Sequence, residues 1–388
     1  MAKAVYVGVD SKARKMKKAY IGIGGTARKV KKMYIGDSSG KARLCYSAEL
    51  EYVGTATALS EARNSLSAAS VGNYAIFAGG KTSYNTGSSY VDAYDSSLVR
   101  TSVTSLNSSR GNLGSATVGS HALFAGGGIY YSLGAHMRPG TSYYYGYSTV
   151  EAYDTSLTKT TATSLSMARM SPSGVSIGKY ALLGGGYTGV NGASIPWGQG
   201  VPYYYKNVVD AYNESLTRTT ATALSVARNC TGVTIGSYAL FAGGTKSDAV
   251  DAYDTSLTRT TVSSLSASGV VYGATTIGRY ALIGIDGGTM NVYDTSLTRT
   301  TAASLSASRT FYSSANIGDY ALFAGGYSSS DYYSTVDAYD SSLVRTTATS
   351  LNTARCELAA ATVGDYAIFA GGERDSNSNF AVVDVYTA

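Results

Sequence analysis

A strand-like segment that ends in a glycine pair recurs along most of the chain, and it restricts the fold more than any other feature. Seven copies begin at Tyr74 (YAIFAGG), His121 (HALFAGGG), Tyr180 (YALLGGG), Tyr238 (YALFAGG), Tyr280 (YALIGIDGG), Tyr320 (YALFAGG) and Tyr366 (YAIFAGG). A second apolar piece follows each copy and ends in Tyr-Asp or a variant of it, as at Tyr94-Asp95, Tyr153-Asp154, Tyr212-Asn213 and Tyr253-Asp254. A Thr-rich piece then runs into an Ala-Arg or Ser-Arg pair. Units of about 40–50 residues made only of short strands cannot bury both faces alone and must stack on their neighbours. The predicted fold is all-β, a seven-bladed β-propeller with four-stranded blades.

The fourth unit shows the reasoning. Period-2 patterning predicts strand A at Cys230–Ile235, strand B at Tyr238–Ala242, strand C at Ala249–Tyr253 and strand D at Thr258–Leu265. Strand B is apolar throughout, as suits a strand sandwiched between blades, whereas strand D (TRTTVSSL) is polar, as suits a rim. Strand A is built of small residues, so seven of them fit round one axis. Residues 51–59 (EYVGTATAL) match strand D yet precede any other strand, and the last residues, VVDVYTA, read as a strand C with no D after it. The two ends are therefore expected to complete one blade between them and so leave no open edge.

The order of an apolar strand, Gly-Gly and a Tyr-Asp strand resembles the kelch repeat over residues 47–388. The outer-strand Trp usual in that repeat is replaced here by Arg or Lys (Arg218, Arg259, Arg299, Lys159). The resemblance implies the propeller fold and carries no function with it.

Residues 1–46 form a different, basic module. Three short copies place Tyr6, Tyr20 and Tyr34 fourteen residues apart, with Ala-Arg pairs at Arg14, Arg28 and Arg43. Each copy reads as strand, turn and strand. Twelve of the 31 Lys and Arg lie here against two Asp, so the module is strongly positive and the propeller slightly negative although the whole chain is only +6. Phosphate binding by that charge is the weaker reading, because the basic residues sit at regular hairpin positions with no nucleic-acid motif. A partner-facing docking module is the stronger one. The hairpin repeats also resemble N-terminal segments of phage and prophage tail-associated proteins, which implies attachment to other virion or assembly proteins and a homo-oligomeric setting.

If the topology holds, the B–C and D–A loops share one face and the basic module enters on the other. The B–C loops are where the units differ. They are about twenty residues long in units two and three and almost absent in unit five. They hold Tyr130, Tyr131, Tyr143, Tyr144, Tyr145, Tyr203, Tyr204, Tyr205 and the chain's one Trp, Trp197, while unit six adds Tyr332 and Tyr333. Long insertions on a rigid scaffold are commonly functional, and Tyr with Gly, Ser and Asn is the make-up of contact surfaces. Tyr rings also suit the C–H faces of sugars. These residues are the candidate ligand site, for a host-surface glycan or a protein receptor. Arg63, Arg110, Arg169, Arg228, Arg309 and Arg355 end the D–A loops, with Gly269 in unit five. Round a channel mouth they could hold an acidic ligand; their recurrence favours a structural part, bonding carbonyls or the Asp of the D-A-Y-D strand.

Catalysis finds little support. The two histidines stand apart, and paired carboxylates for glycoside hydrolysis would have to come from Glu373 and Asp375 or Asp331, at no supporting spacing. The three cysteines fall at no metal-ligand spacing, and no P-loop or nucleophile elbow occurs. The chain is expected not to be an enzyme, and to hold no metal and no cofactor. No apolar run is long enough to span a membrane, so no insertion is expected, and the N-terminus has no apolar core of a secretory signal. A protein made in the cytoplasm and carried on a virion or extracellular particle fits these features. The expected function is receptor binding by an adhesin-like head, with a structural or protein-interaction part as the alternative and a glycan-active enzyme as the less favoured third.

Overall fold

A computed structural model describes residues 6–9, 12–15, 19–23, 26–30, 32–36, 42–47, 49–83, 85–132, 142–189, 203–375 and 378–388. Seven antiparallel four-stranded sheets carry the repeats. Strand B begins at the seven aromatic positions read from the sequence, from Tyr74–Ala78 to Tyr366–Ala370, and its last four residues are buried in each case. The seven A strands, among them Ser67–Val71, Gly114–Val118 and Ala359–Val363, neighbour one another in sequence order, and the last returns to the first. The ring is thereby closed round a channel lined by small residues. At Gly174 a Cβ would lie 1.9 Å from the Ser115 carbonyl oxygen, so only glycine lets blades 2 and 3 approach so closely.

The closing blade joins both ends of the described propeller. Strand Glu51–Thr55 pairs antiparallel with Val383–Thr387, which places Glu51 opposite Thr387 and Thr55 opposite Asp384. Tyr52 donates its hydroxyl to Asp384 Oδ1 across the seam at 2.7 Å. In blade 4 the observed strands are Thr231–Ile235, Tyr238–Ala242, Val250–Tyr253 and Arg259–Thr261. Strand D is thus much shorter than its polar Thr run suggests. Beyond it the chain turns inward, where Leu265 donates its N–H to the Asp248 carbonyl at 2.8 Å and buries its side chain.

The Tyr-Asp pair does two separate jobs. Each Tyr is buried and donates its hydroxyl to a carbonyl just beyond strand D of the preceding blade: Tyr94 to Thr57, Tyr153 to Thr104, Tyr212 to Thr163, Tyr253 to Thr222, Tyr293 to Ser263, Tyr339 to Ala303 and Tyr386 to Thr349, all at 2.6–2.8 Å. These are blade-to-blade latches. The Asp turns the chain into strand D; Asp254 accepts from the Ser256 and Thr258 N–H groups while Leu257 takes a φ of 65°.

Near the N-terminus three two-stranded hairpins form, pairing Tyr6–Val9 with Lys12–Lys15, Tyr20–Ile23 with Thr26–Lys29, and Lys32–Gly36 with Ala42–Ser47. Among the described residues no helix is long and apolar enough to cross a membrane.

Candidate functional site

The six loop arginines lie under the D–A/B–C face, with at most 1% of each exposed, and do not line the channel. Each pairs with the acid of its own blade's strand C: Arg63 with Asp92, Arg110 with Glu151, Arg169 with Asp210, Arg228 with Asp251, Arg309 with Asp337 and Arg355 with Asp384. Arg228 shows the wiring. Its guanidinium donates to the Phe241 carbonyl at 3.0 Å, to the Val226 carbonyl at 3.1 Å and to Asp251 at 2.8 Å. Burial disfavours the Asp251 carboxylate, yet hydrogen bonds from Arg228 and Ser225 outweigh it and hold the carboxyl below its usual range. In blades 1, 3, 4 and 6 an Arg of the outer strand reaches the same acid as a second cation, as Arg259 does for Asp251 at 2.8 Å.

Blade 5 departs from this plan at both partners together. Gly269 replaces the Arg and Asn291 replaces the acid, so the charge pair is absent as a unit. A Cβ on Gly269 would meet Asp286 Oδ2 at 3.2 Å, so Asp286 uses part of the room left by the missing side chain. Its carboxylate accepts from the Val270 N–H at 3.0 Å.

On the same face, three B–C loops rise as small hairpins. In blade 2, Gly128–Ser132 pairs with Ser142–Gly146 and sets Tyr130 opposite Tyr144 and Tyr131 opposite Tyr143. In blade 3, Tyr187–Thr188 pairs with Tyr204–Tyr205, and in blade 1 Lys81–Ser83 pairs with Thr86–Gly87. The three hairpins stand side by side along the rim. No strands are assigned to these insertions from sequence; the Tyr runs at their ends, a residue type favoured in strands, are the signal for them. Trp197 lies outside the described residues.

The tyrosines of these loops fall into two sets. Tyr145, Tyr203 and Tyr204 are 45%, 45% and 54% exposed. Tyr205 is more covered and donates to Thr245 Oγ1 at 3.0 Å, and the Tyr187 ring packs edge-on against Tyr203 at 4.8 Å. Lys206 lies 6.0 Å from the Tyr204 ring centre. In blade 6, Tyr332 packs on Tyr327 at 4.9 Å, while the Tyr333 N–H bonds the Gly326 carbonyl. Those rings hold the loop, whereas Tyr145, Tyr203 and Tyr204 stay about half exposed, Tyr145 with its ring edge-on to Tyr147 at 4.9 Å.

At the seam of blades 7 and 1, Glu373 accepts from Asn64 Nδ2 at 2.7 Å. Burial and then the neighbouring Glu357 raise its carboxyl to about 7, against the pull of Lys81 and with a further push from Asp375. Glu357, which the sequence did not single out, thus acts on Glu373 more strongly than Asp375 does. A folded value above that of the unfolded chain (about 4.3) means the folded state holds the proton more tightly. The resulting stability is fully present below pH ~4 and is lost as the pH rises through ~7. Glu373→Gln is therefore expected to raise the melting temperature relative to the parent, with a gain that grows from pH 4 to pH 8. A gain that stays flat across that range would show that this carboxyl does not titrate as described.

No family model and no curated protein matches the sequence. The solved structure of YjhT is similar in fold, with a TM-score of 0.54, 86% of this chain and 97% of that chain covered, and 11% identity. That likeness corrects the expectation that the chain is not an enzyme. The expectation rested on missing sequence motifs, and a propeller scaffold such as the one shared with YjhT hosts many functions, so missing motifs do not exclude catalysis. The non-enzymatic assignment does not hold.

Proposed function

We propose that the chain is a ligand-binding head in which the loop face of a kelch-type propeller recognises a cell-surface glycan and residues 1–46 dock onto other proteins of a larger assembly. The observation that carries the reading is the rim of hairpins on blades 1 to 3, with Tyr145, Tyr203 and Tyr204 exposed on a rigid scaffold. Flat amphipathic rings beside small polar residues match the alternation of C–H faces and hydroxyls on a sugar. The polarity of the ring supports the arrangement. Glu51 sits opposite Thr387, at the end of strand C, so the basic hairpins join the propeller on the face away from the B–C loops. Their charge suits an acidic partner, and the phage-like character of the hairpin repeats suits a virion tail or similar particle, carried in several copies and released by lysis.

The test is a glycan array probed with the full chain and with the triple variant Tyr145→Ala, Tyr203→Ala, Tyr204→Ala. Binding by the parent and a loss of at least tenfold in the triple variant are expected, since each ring contact contributes about 0.5–1.5 kcal/mol and three are removed together. Equal binding by both proteins would remove these rings from the site. Silence in both would favour the structural reading, in which the head contacts only proteins.

A further inference from the structure

The channel opens on the loop face into a cavity of 420 Å³, within the ~300–1,000 Å³ usual for small-molecule sites. Its wall is uneven. On one side stand Ser65, Asn112, Ser171 and Glu357; on the other stand Tyr272 and Phe311. Ser65, Asn112, Ser171, Phe311 and Glu357 occupy the same place in their units, two residues past the buried Arg, and all have φ between 48° and 53°. A bulky aromatic residue is the costly choice in that conformation. Phe311 does not recover the cost by burial, because it stays 42% exposed.

Its ring rests on Tyr272 at 4.8 Å, and Tyr272 in turn lies 5.9 Å from the buried Tyr312. Blade 5's departure from the repeat supports this platform. Asp286, admitted by Gly269, sits close enough to act on Tyr272: burial and then that carboxylate push the Tyr272 hydroxyl up to about 12, so it remains a neutral ring. The polar wall is held by a chain of backbone hydrogen bonds, from Glu357 N–H to the Phe311 carbonyl, Ser65 to Glu357, Asn112 to Ser65 and Ser171 to Asn112, at 2.8–3.1 Å. A wall fixed before binding lowers the ordering cost of a ligand.

Charge narrows the ligand class. Glu357 is the ionisable acid of the lining, and among the described residues no Lys, Arg or His lines the cavity. An anionic sugar would face a carboxylate with no cation to offset it.

We propose that the channel mouth is a subsite for an uncharged pyranose, stacked by its C–H face on Phe311 and Tyr272, with its hydroxyls turned to Asn112, Ser171 and Glu357. The proposal rests on the saccharide reading of the loop face and assigns to it a pocket distinct from the hairpin tyrosines. Ligand-observed NMR titrations of the full chain with methyl glucopyranoside, methyl galactopyranoside, methyl mannopyranoside and the methyl glycosides of the matching uronic acids test it. Phe311→Ser is the variant to use, because Ser stands at that place in blades 1 and 3 and the fold accepts it there.

At least one neutral glycoside is expected to bind, more tightly than its uronic acid. Phe311→Ser should weaken it about tenfold, while the hairpin triple variant should leave it within twofold. A neutral glycoside unaffected by Phe311→Ser, or a uronic acid that binds more tightly, would overturn the subsite. If the parent binds array glycans but no simple glycoside, the subsite fails and the head reading stands. Failure to bind either would end both.

Discussion

Arg110→Met is expected to destabilise the propeller by about 3–5 kcal/mol, the range for removing one partner of a buried ion pair. Arg110 and Glu151 are both fully buried and bonded to each other, and Arg110 Nε also donates to the Gly126 carbonyl at 2.8 Å. Glu151 lacks the second arginine that other blades supply. Lys159, at that position, bonds the Ser105 carbonyl and Asn107 Oδ1 instead, each at 2.7 Å. Without Arg110 the Glu151 carboxylate keeps the Asn107 N–H, at 2.8 Å, and little to balance its charge. Arg345→Met is the control. That side chain is 28% exposed and its acid, Asp337, keeps Arg309, so about 1 kcal/mol or less is expected.

The double variant Arg110→Gly, Glu151→Asn copies blade 5 and should recover much of the loss, because the penalty belongs to the stranded charge rather than to the missing pair. Urea midpoints of the four proteins decide this. Equal shifts for Arg110→Met and Arg345→Met would refute the account of the buried pairs. Acid acts on the same pairs. The folded Asp251 carboxyl is held below the unfolded value of about 3.9, so its contribution is full above that pH and is lost as the pH falls through the folded value.

The second large effect concerns closure of the ring. Removing residues 1–56 takes away strand Glu51–Thr55, exposes the edge of Val383–Thr387 and breaks the Tyr52–Asp384 hydrogen bond. An open edge on a flat blade is a template for pairing with other chains. The shortened chain is expected to lose its single cooperative melt and to aggregate at micromolar concentration. Removing residues 1–46 leaves that strand in place and should change the melting temperature by no more than about 2 °C, a fraction of a kcal/mol. Light scattering and calorimetry on the two shortened chains read the difference, and a soluble, cooperatively melting 57–388 chain would contradict the role given to the strand.

Blade order, the strand B positions and the closing strand were legible because each rests on a repeated pattern with one physical solution. A five-residue apolar strand before Gly-Gly can sit only between blades, and a lone strand D at one end calls for a lone strand C at the other. Strand D was overextended, since a Thr-rich run looks the same whether it pairs along its length or turns inward after three residues, as it does after Thr261. The part played by the loop arginines was legible in outline. Recurrence of Arg228 and its relatives favoured a structural part with the Asp of the D-A-Y-D strand, and that is the acid they bond; recurrence did not show that the acid belongs to the same blade or that the guanidinium is fully covered by the loops. The channel mouth was missed because Phe311, Tyr272 and Glu357 come from different blades and share no spacing. The signal was present in the breaks of the repeat, where Gly269 and Asn291 change together and an aromatic residue stands where other units place Ser, Asn or Glu.

Hydrogen exchange of the full chain, with and without a saturating amount of the sugar found on the array, tests the central claim most directly. The account predicts slowed exchange in the hairpins at 128–132, 142–146 and 203–205 and at the channel mouth around 309–312 and 355–358, with no change at the A–B and C–D turns. Protection confined to turns such as 72–73 and 96–98, on the opposite face, would contradict it.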